Sequence, residues 1–334
     1  MMKKRGIGIG CMYYGIGNTG LPNPASAFVE WLDDGTANLL VGCADIGQGS
    51  DTVLAQIVAE ELGISVENLR VTSADTLVTP EGGATSASRQ TYISGNAARL
   101  AAKEAKQVAL AEARAILKTA ETVDFVRGQV IVNGEAATLT IKEVINSCRL
   151  KGKLTLGHGW FNPDTTGLDP ATGAGSPYGT YAFATQVVEV EVDTETGLVE
   201  VKRIVAAHDV GKAINPQLVE AQIEGGSNMG VGYGLLEEVT IAEGRIGNPN
   251  FDAYLLPTAL DTPEIYPLII EDLEPTGPFG AKGVGEPALI PTAAAIANAV
   301  HDAIGVRIYS LPITPEKVLQ ALAEKEASVA KAAE

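Results

Sequence analysis

Cysteine is scarce in this chain: three residues in 334, at Cys11, Cys43 and Cys148, and no two of them form a CxxC pair. That scatter argues against an iron–sulfur cluster or a structural zinc site held by this chain. Basic residues are also few. Lys and Arg number 24 against 41 Asp and Glu, giving a net charge of −17, and there is no long basic run. A phosphate-binding footprint for nucleic acid is therefore not expected, and the acidity reads as a solubility feature. No window approaches the roughly 20 apolar residues that span a bilayer. The opening "MMKKRGIGIGCMYYGIG" has a basic tip, but glycines break its apolar run and no small-residue cleavage site follows. Free thiols without a secretory signal predict a cytoplasmic protein with no membrane partner.

Against these absences, 46% of residues are hydrophobic and 19% charged, which predicts a substantial core. Glycine is abundant, 37 residues without a short repeat, and points to tight turns and close backbone approaches. The length suits two domains or one large one. "ASAFVEWLDDGTANLLVGCADIG" reads as two strands around a turn at Asp33-Asp34-Gly35, followed by a helix that stops at Gly63 and a short strand in "ENLRVTSADT". An Ala-rich helix over about 94–119 comes next, then a hairpin turning at Asn133-Gly134 and a short helix. Residues 157–179, rich in Gly, Pro, Asp and Thr, read as a loop and a lobe boundary. A hairpin around Glu195-Thr196-Gly197, a Gly-rich helix over about 216–235 and helices near 291–304 and 315–323 complete the chain, with an exposed tail. The mixture is α+β, hairpins and helices interleaved. We expect two mixed lobes, residues 1–178 and 179–334.

Several stretches carry chemistry-bearing residues. Gly15 to Gly20 matches GxGxxG, but "LPNP" follows where a dinucleotide site needs a helix, so the match is weak. In "GCADIGQGSDTVLAQIVAEELG", Gly47 and Gly49 flank Gln48 directly before a helix. Such an entry allows close backbone approach and offers unpaired amides to an anion, or is simply a turn capped by Ser50 or Asp51. "EGGATSASRQTYISGNAA" repeats the arrangement with Thr85, Ser86, Ala87 and Ser88. The helix after "HDVGKAINP" carries Gln222 and Glu224 among several glycines, which suits packing against a ligand or another helix. His208 beside Asp209 resembles a catalytic pair, although a buried, satisfied histidine is the commoner finding. In "FGAKGVGEPALIPTAAAIANAV" one acid, Glu286, stands among Gly, Pro and apolar residues. It is either a helix-entry acid or a partly desolvated general base.

The segments "GQGSDTVLAQIVAEELG", "GGATSASRQTYISGNAA", "HDVGKAINPQLVEAQIEGG" and "GAKGVGEPALIPTAAAIANAV" together resemble the C-terminal half of the molybdenum-binding subunit of the xanthine dehydrogenase family. The resemblance runs from about residue 5 to about residue 322. The "GGFGGK"-type motif of that subunit's first half is absent, as are cluster cysteines and a flavin domain. The chain thus looks like one piece of a split subunit, similar to the medium molybdopterin subunit of nicotinate dehydrogenases.

The resemblance implies the fold of the molybdenum cofactor-binding domain, with the catalytic glutamate on its second lobe. It implies hydroxylation of a ring carbon next to nitrogen in an N-heteroaromatic substrate, with oxygen from water and Glu286 as the catalytic base. Nicotinate, converted to 6-hydroxynicotinate with NADP as acceptor, is the leading substrate, and xanthine or another purine the alternative. A non-catalytic carrier of the cofactor is a further alternative. The implied cofactor is molybdenum-molybdopterin cytosine dinucleotide, its metal held through the pterin and bearing a sulfido or selenido ligand. [2Fe-2S] clusters and FAD would lie on partner subunits, so the implied partners are a large molybdopterin subunit, an iron–sulfur subunit and an FAD subunit. Implied cofactor contacts are Gly47, Gln48, Gly49, Thr85, Ser86, Ala87, Ser88, Gln222, Lys282, Gly283, Val284 and Gly285. Tyr13, Tyr14, Asn18 and Thr19 fall where the family lines its substrate pocket. Asn18 stands where xanthine-oxidising members place a phenylalanine. No cation for a nicotinate carboxylate lies in that segment, which leaves it to the partner chain.

Overall fold

The computed structural model describes residues 2–333. In chain order its elements are β1 (Lys3–Gly15), β2 (Ala25–Trp31), β3 (Ala37–Val41), α1 (Ser50–Leu62), β4 (Leu69–Ser73) and α2 (Gly95–Leu117). Then come β5 (Val123–Val126), β6 (Gln129–Val132), β7 (Glu135–Thr140), α3 (Ile141–Leu150) and β8 (Leu156–Phe161). The remainder is β9 (Tyr181–Asp193), β10 (Val199–Asp209), α4 (Pro216–Leu235), a short β11–β12 hairpin (Ile241–Ala242, Arg245–Ile246), β13 (Glu264–Ile270), α5 (Ile290–Ile304) and α6 (Pro315–Ala333). No helix among the described residues is long and apolar enough to cross a membrane.

Two four-stranded sheets organise this mixed α/β fold. One has the order β4-β3-β2-β8 and the other β1-β9-β10-β13. In the first, β3 and β4 run parallel on either side of α1, the strand–helix–strand unit expected from the sequence. In the second, β9 and β10 form the expected hairpin and β13 joins β10 in parallel. Each sheet has its own apolar core, one including Leu39, Ile57, Ile93 and Phe125, the other Val190, Ile204, Ile223 and Ile296.

The same device builds both cores. In β1, Gly6, Gly8 and Gly10 face α5, where a Cβ on each would come within 2.1–2.2 Å of a backbone oxygen of Ala299, Ala295 or Pro291. In β8, Gly157 and Gly159 face α2, where a Cβ would meet the carbonyls of Ala101 and Ala97 at 2.0 and 1.8 Å. The opposing helix positions are alanines buried to 0% exposure, Ala97, Ala101, Ala295 and Ala299 among them. Helix backbone thus lies directly on strand backbone.

The structure departs from the sequence expectation in three places, the first two because of that packing. Gly157 and Gly159 are strand residues, so the loop spans only the residues after Phe161. The N-terminal "KKRGIGIGCMYYG" is a 13-residue strand whose glycines hide its period-2 pattern. It pairs antiparallel with β9, so a strand from the 1–178 segment lies in the sheet otherwise drawn from residues beyond 178. Finally, the Asn133-Gly134 turn joins β6 to β7 as expected, but β5 extends the hairpin to three strands.

The helix-on-strand contact predicts that Gly8→Val is costly while a change on the opposite face is not. The new side chain would drive α5 off β1, a cost of about 1–3 kcal/mol or more for overpacking. Thermal unfolding should show a midpoint several degrees lower for Gly8→Val, and no such loss for Ile7→Thr, whose side chain points outward.

Candidate active site

Four connecting segments converge on an open cleft of about 220 Å³ between the two cores. Gln48 enters from the turn before α1, Thr85, Ser86, Ser88 and Arg89 from the stretch before α2, Lys212 to Gln222 from the start of α4, and Lys282 to Glu286 from the segment before α5. The cleft therefore gathers ten of the residues singled out from sequence: Gln48, Thr85, Ser86, Ser88, Gln222, Lys282, Gly283, Val284, Gly285 and Glu286. Gly47, Gly49 and Ala87 do not line it, nor do the expected substrate-pocket residues Tyr13, Tyr14, Asn18 and Thr19.

Ser88 is the junction. A Cβ on Gly283 would lie 1.8 Å from the Ser88 carbonyl oxygen, so only glycine lets this backbone pass so close. The Ser88 hydroxyl accepts from the Gly285 and Glu286 amides at 3.2 and 3.1 Å and donates to Glu286 Oε2. Ala87 and Ser88 both hold left-handed φ values, 53° and 51°, which non-glycine residues seldom adopt. The Ala87 carbonyl accepts from the Gly17 amide at 3.0 Å, pinning the strained pair to the segment after β1.

Glu286 is half-buried and begins the short turn Glu286–Ala288. Tyr14, also half-buried, lies beside it. Burial pushes the Tyr14 phenol up to about 12, reinforced by Glu286 and Tyr178 and opposed by a hydrogen bond with Ser88. Tyr14 is thus a protonated donor at neutral pH. Tyr13 is 75% exposed on the other face of β1, packed against Tyr181 and away from the cleft, because neighbouring strand residues alternate faces. Asn18 donates its amide to Asn23 Oδ1 at 2.8 Å, and the Thr19 hydroxyl bonds that of Tyr178. Tyr178, absent from the sequence expectation, carries Thr19 toward Tyr14. Its signal was hidden in a Gly- and Pro-rich loop.

Arg89 is the second residue missed. It is 1% exposed and lines the cleft. Its guanidinium donates to the carbonyls of Gly82, Ala84, Asn23 and Pro24 at 2.6–3.1 Å, and its Nε is buried without a partner. The available signal was the absence of any acid from 82 to 103 around it. The other cations of the cleft are already paired, Lys282 with Asp209 at 2.6 Å and Lys212 with Glu271 at 3.0 Å.

The expected anion-receiving entry at α1 differs from expectation. Asp45 accepts from the amides of Gly47, Gly49 and Asp51 at 2.8, 3.4 and 3.1 Å. Burial pushes its carboxyl up, but these backbone amides outweigh it and hold Asp45 below the usual range. The chain's own carboxylate thus takes the place of an external anion there. Gln48 is braced by the same turn, accepting from the Ile46 amide at 2.6 Å and donating to Ser50 Oγ at 2.9 Å. The cleft still fits a polar, anionic cofactor. Its lining offers amide and hydroxyl groups and one cation without a carboxylate partner.

His208 lies behind the Glu286 turn and takes no part in acid–base work at neutral pH. It is 1% exposed, and burial pushes its pKa down to about 4. Gln186 Nε2 lies 3.2 Å from His208 Nε2 and donates to Ser227 Oγ and the Ala288 carbonyl at 3.1 and 2.9 Å, while Gln186 Oε1 accepts from Thr292 at 2.6 Å. A depressed histidine stabilises the fold above its unfolded value of 6.5, and that contribution is lost as pH falls toward 4. Urea titrations at pH 7, 5.5 and 4.5 should show that loss in the wild type and a flatter dependence in His208→Gln. Equal slopes would remove His208 as its source.

Comparison with known proteins agrees with this geometry. Residues 1–263 match the molybdopterin cofactor-binding domain. The putative xanthine dehydrogenase molybdenum-binding subunit of Escherichia coli K12 is 35% identical over 326 residues, covering 95% of this chain and 42% of that protein. The gamma subunit of the 6-hydroxypseudooxynicotine dehydrogenase complex of Paenarthrobacter nicotinovorans is 33% identical over 325 residues, 95% of this chain and 39% of its own. Among solved structures, quinoline 2-oxidoreductase from Pseudomonas putida 86 superposes with a TM-score of 0.85 at 28% identity, over 96% of this chain and 42% of that one. The chain spans less than half the length of these relatives. By its domain match, its fold and its motifs, the chain belongs to the molybdopterin cofactor-binding domain family, as the C-terminal half of a xanthine dehydrogenase-type molybdenum-binding subunit.

Proposed function

We propose that the chain is the catalytic, cofactor-binding part of a heteromeric molybdenum hydroxylase acting on an N-heteroaromatic ring, with nicotinate as substrate, 6-hydroxynicotinate as product and NADP as acceptor. The observation that carries the catalytic role is Glu286, the one acid lining the cleft among the described residues, held by Ser88 and faced by Tyr14. Gln48, Thr85, Ser86, Ser88, Gln222 and the 282–285 segment would hold molybdopterin, as its cytosine dinucleotide, with Arg89 facing its anionic part. Bound there, the cofactor supplies a two-electron acceptor and a metal that acidifies water. Glu286 would accept the proton that this activation releases. Ser88 fixes the carboxylate's orientation. Tyr14 presents an aromatic ring and a phenol donor to the substrate. Iron–sulfur and FAD subunits would carry electrons onward.

Two relatives carry names that fit a nitrogen heterocycle, one a xanthine dehydrogenase subunit and one a quinoline oxidoreductase. Xanthine is the second reading, favoured by the Escherichia coli relative. By the family resemblance, Asn18 stands where xanthine-oxidising members place a phenylalanine, which favours a smaller or differently charged ring than a purine.

The test is side-by-side turnover of nicotinate and xanthine by the native complex isolated through this chain, with molybdenum measured on the same sample. Nicotinate turnover supports the proposal, and xanthine turnover alone replaces the substrate. Glu286→Gln should lower turnover by about 10²–10⁴-fold, the usual weight of a general base, with molybdenum retained. Unchanged turnover would favour a cofactor carrier.

A further inference from the structure

Strand β1 reverses the usual relation between a strand and its core. Its glycines point inward at α5, and its large side chains, Ile7, Ile9 and Tyr13, point outward at 55–75% exposure. Across the sheet the same face continues with Phe183 on β9, opposite Tyr13, and with Leu268 and Ile270 on β13. An antiparallel sheet with one solvated face alternates apolar inward with polar outward. Here large exposed apolar residues stand at outward positions on three of the four strands. A contiguous exposed apolar face of this kind marks an interface. Its charges collect at one end, where Lys3 and Arg5 pair with Glu189 and Glu191, giving an apolar centre and a polar rim.

We propose that the outer face of the β1-β9-β10-β13 sheet docks the polypeptide equivalent to the first half of the molybdenum-binding subunit. The proposal rests on the heteromeric reading above and adds the surface. In the relatives that half precedes the region matched by this chain, so it connects at the start of β1, a strand of this very face. The free edge of β1 is not the docking element. Its Ile7 amide donates to Asp302 Oδ2 and its Ile9 carbonyl accepts from Asn298 Nδ2, both at 2.9 Å, so α5 already serves the edge. Contact is therefore side chain against side chain across the face. A second copy of this chain is a poor occupant, because each copy carries −17 and like charges oppose association.

The face carries its own reporter. Cys11 is exposed between Ile9 and Tyr13, whereas Cys43 and Cys148 are buried. In the native complex, maleimide should label Cys11 at least about tenfold more slowly than after dissociation in urea, since access governs thiol reactivity. An amine cross-linker through Lys3, at the charged end of the face, should yield peptides of the first-half polypeptide. Ile9→Glu and Leu268→Glu should restore Cys11 labelling in the complex without lowering the chain's own thermal midpoint, as both side chains are exposed. Fast Cys11 labelling in the intact native complex overturns the proposal. So do Lys3 cross-links to a second copy of this chain, or to an iron–sulfur or FAD subunit, in place of the first half. Molybdenum and turnover measured on the same sample separate the two ideas. Protected Cys11 without molybdenum leaves the surface standing and sinks the catalytic reading, and turnover with freely labelled Cys11 does the reverse.

Discussion

Everything in this fold follows from backbone lying directly on backbone. Two glycine-bearing strands, β1 and β8, seat two alanine-faced helices, α5 and α2, with no side chains between them. Interiors are close-packed, so the depth of each seat fixes the helix position. The start of each helix then becomes a fixed point. The segments leading into α2 and α5 are the ones that carry Ser88 and Glu286. A helix held by long side chains could adjust by rotamer changes. A helix resting on glycine has no such freedom.

The two cores meet at a second contact of the same kind, Gly283 against the Ser88 carbonyl. The left-handed φ values of Ala87 and Ser88 are a local cost of this junction, and strain of that sort persists only where surroundings over-determine it. Here the surroundings are the Gly17 amide on one side and the Gly285 and Glu286 amides on the other. The buried Gln186, with Thr292 and Ser227, holds the Ala288 carbonyl from behind. The carboxylate of Glu286 is thereby oriented from both ends of its turn. Its geometry is set before any ligand arrives, which is what catalysis by positioning requires.

Much of this was legible in the chain. The turns at Gly35, Gly63, Asn133-Gly134 and Gly197 fell where glycine or asparagine adopts positive φ, because turn chemistry is local. The four quoted motifs met in one cleft. What was hidden had one cause. In β1 and β8 glycine occupies the inward positions, so the alternation of large apolar and polar residues that betrays a strand is missing. The β8 segment was read as part of a loop, and the β1 segment only as an apolar run broken by glycines. Tyr13 and Tyr14 were placed together for the same reason: without the strand, nothing said that they face opposite ways. Arg89 escaped because its partners are carbonyl oxygens, which no sequence pattern displays.

The isolation of Glu286 now has a physical account. The chain carries 41 acids, and its negative field would raise the cost of a further carboxylate anywhere it is poorly solvated. The cleft offsets this locally. Asp209 and Glu271 are turned onto Lys282 and Lys212, and Asp45 is turned onto the amides before α1. Each neighbouring acid is thus held by a donor of its own. Arg89 adds a positive charge that no carboxylate contacts, and His208 stays neutral. Tyr14, protonated far above neutrality, and His208, deprotonated well below neutrality, both keep their charge state unchanged around neutral pH. The cleft is thus a region of fixed charge around Glu286, the one acid that lines it among the described residues.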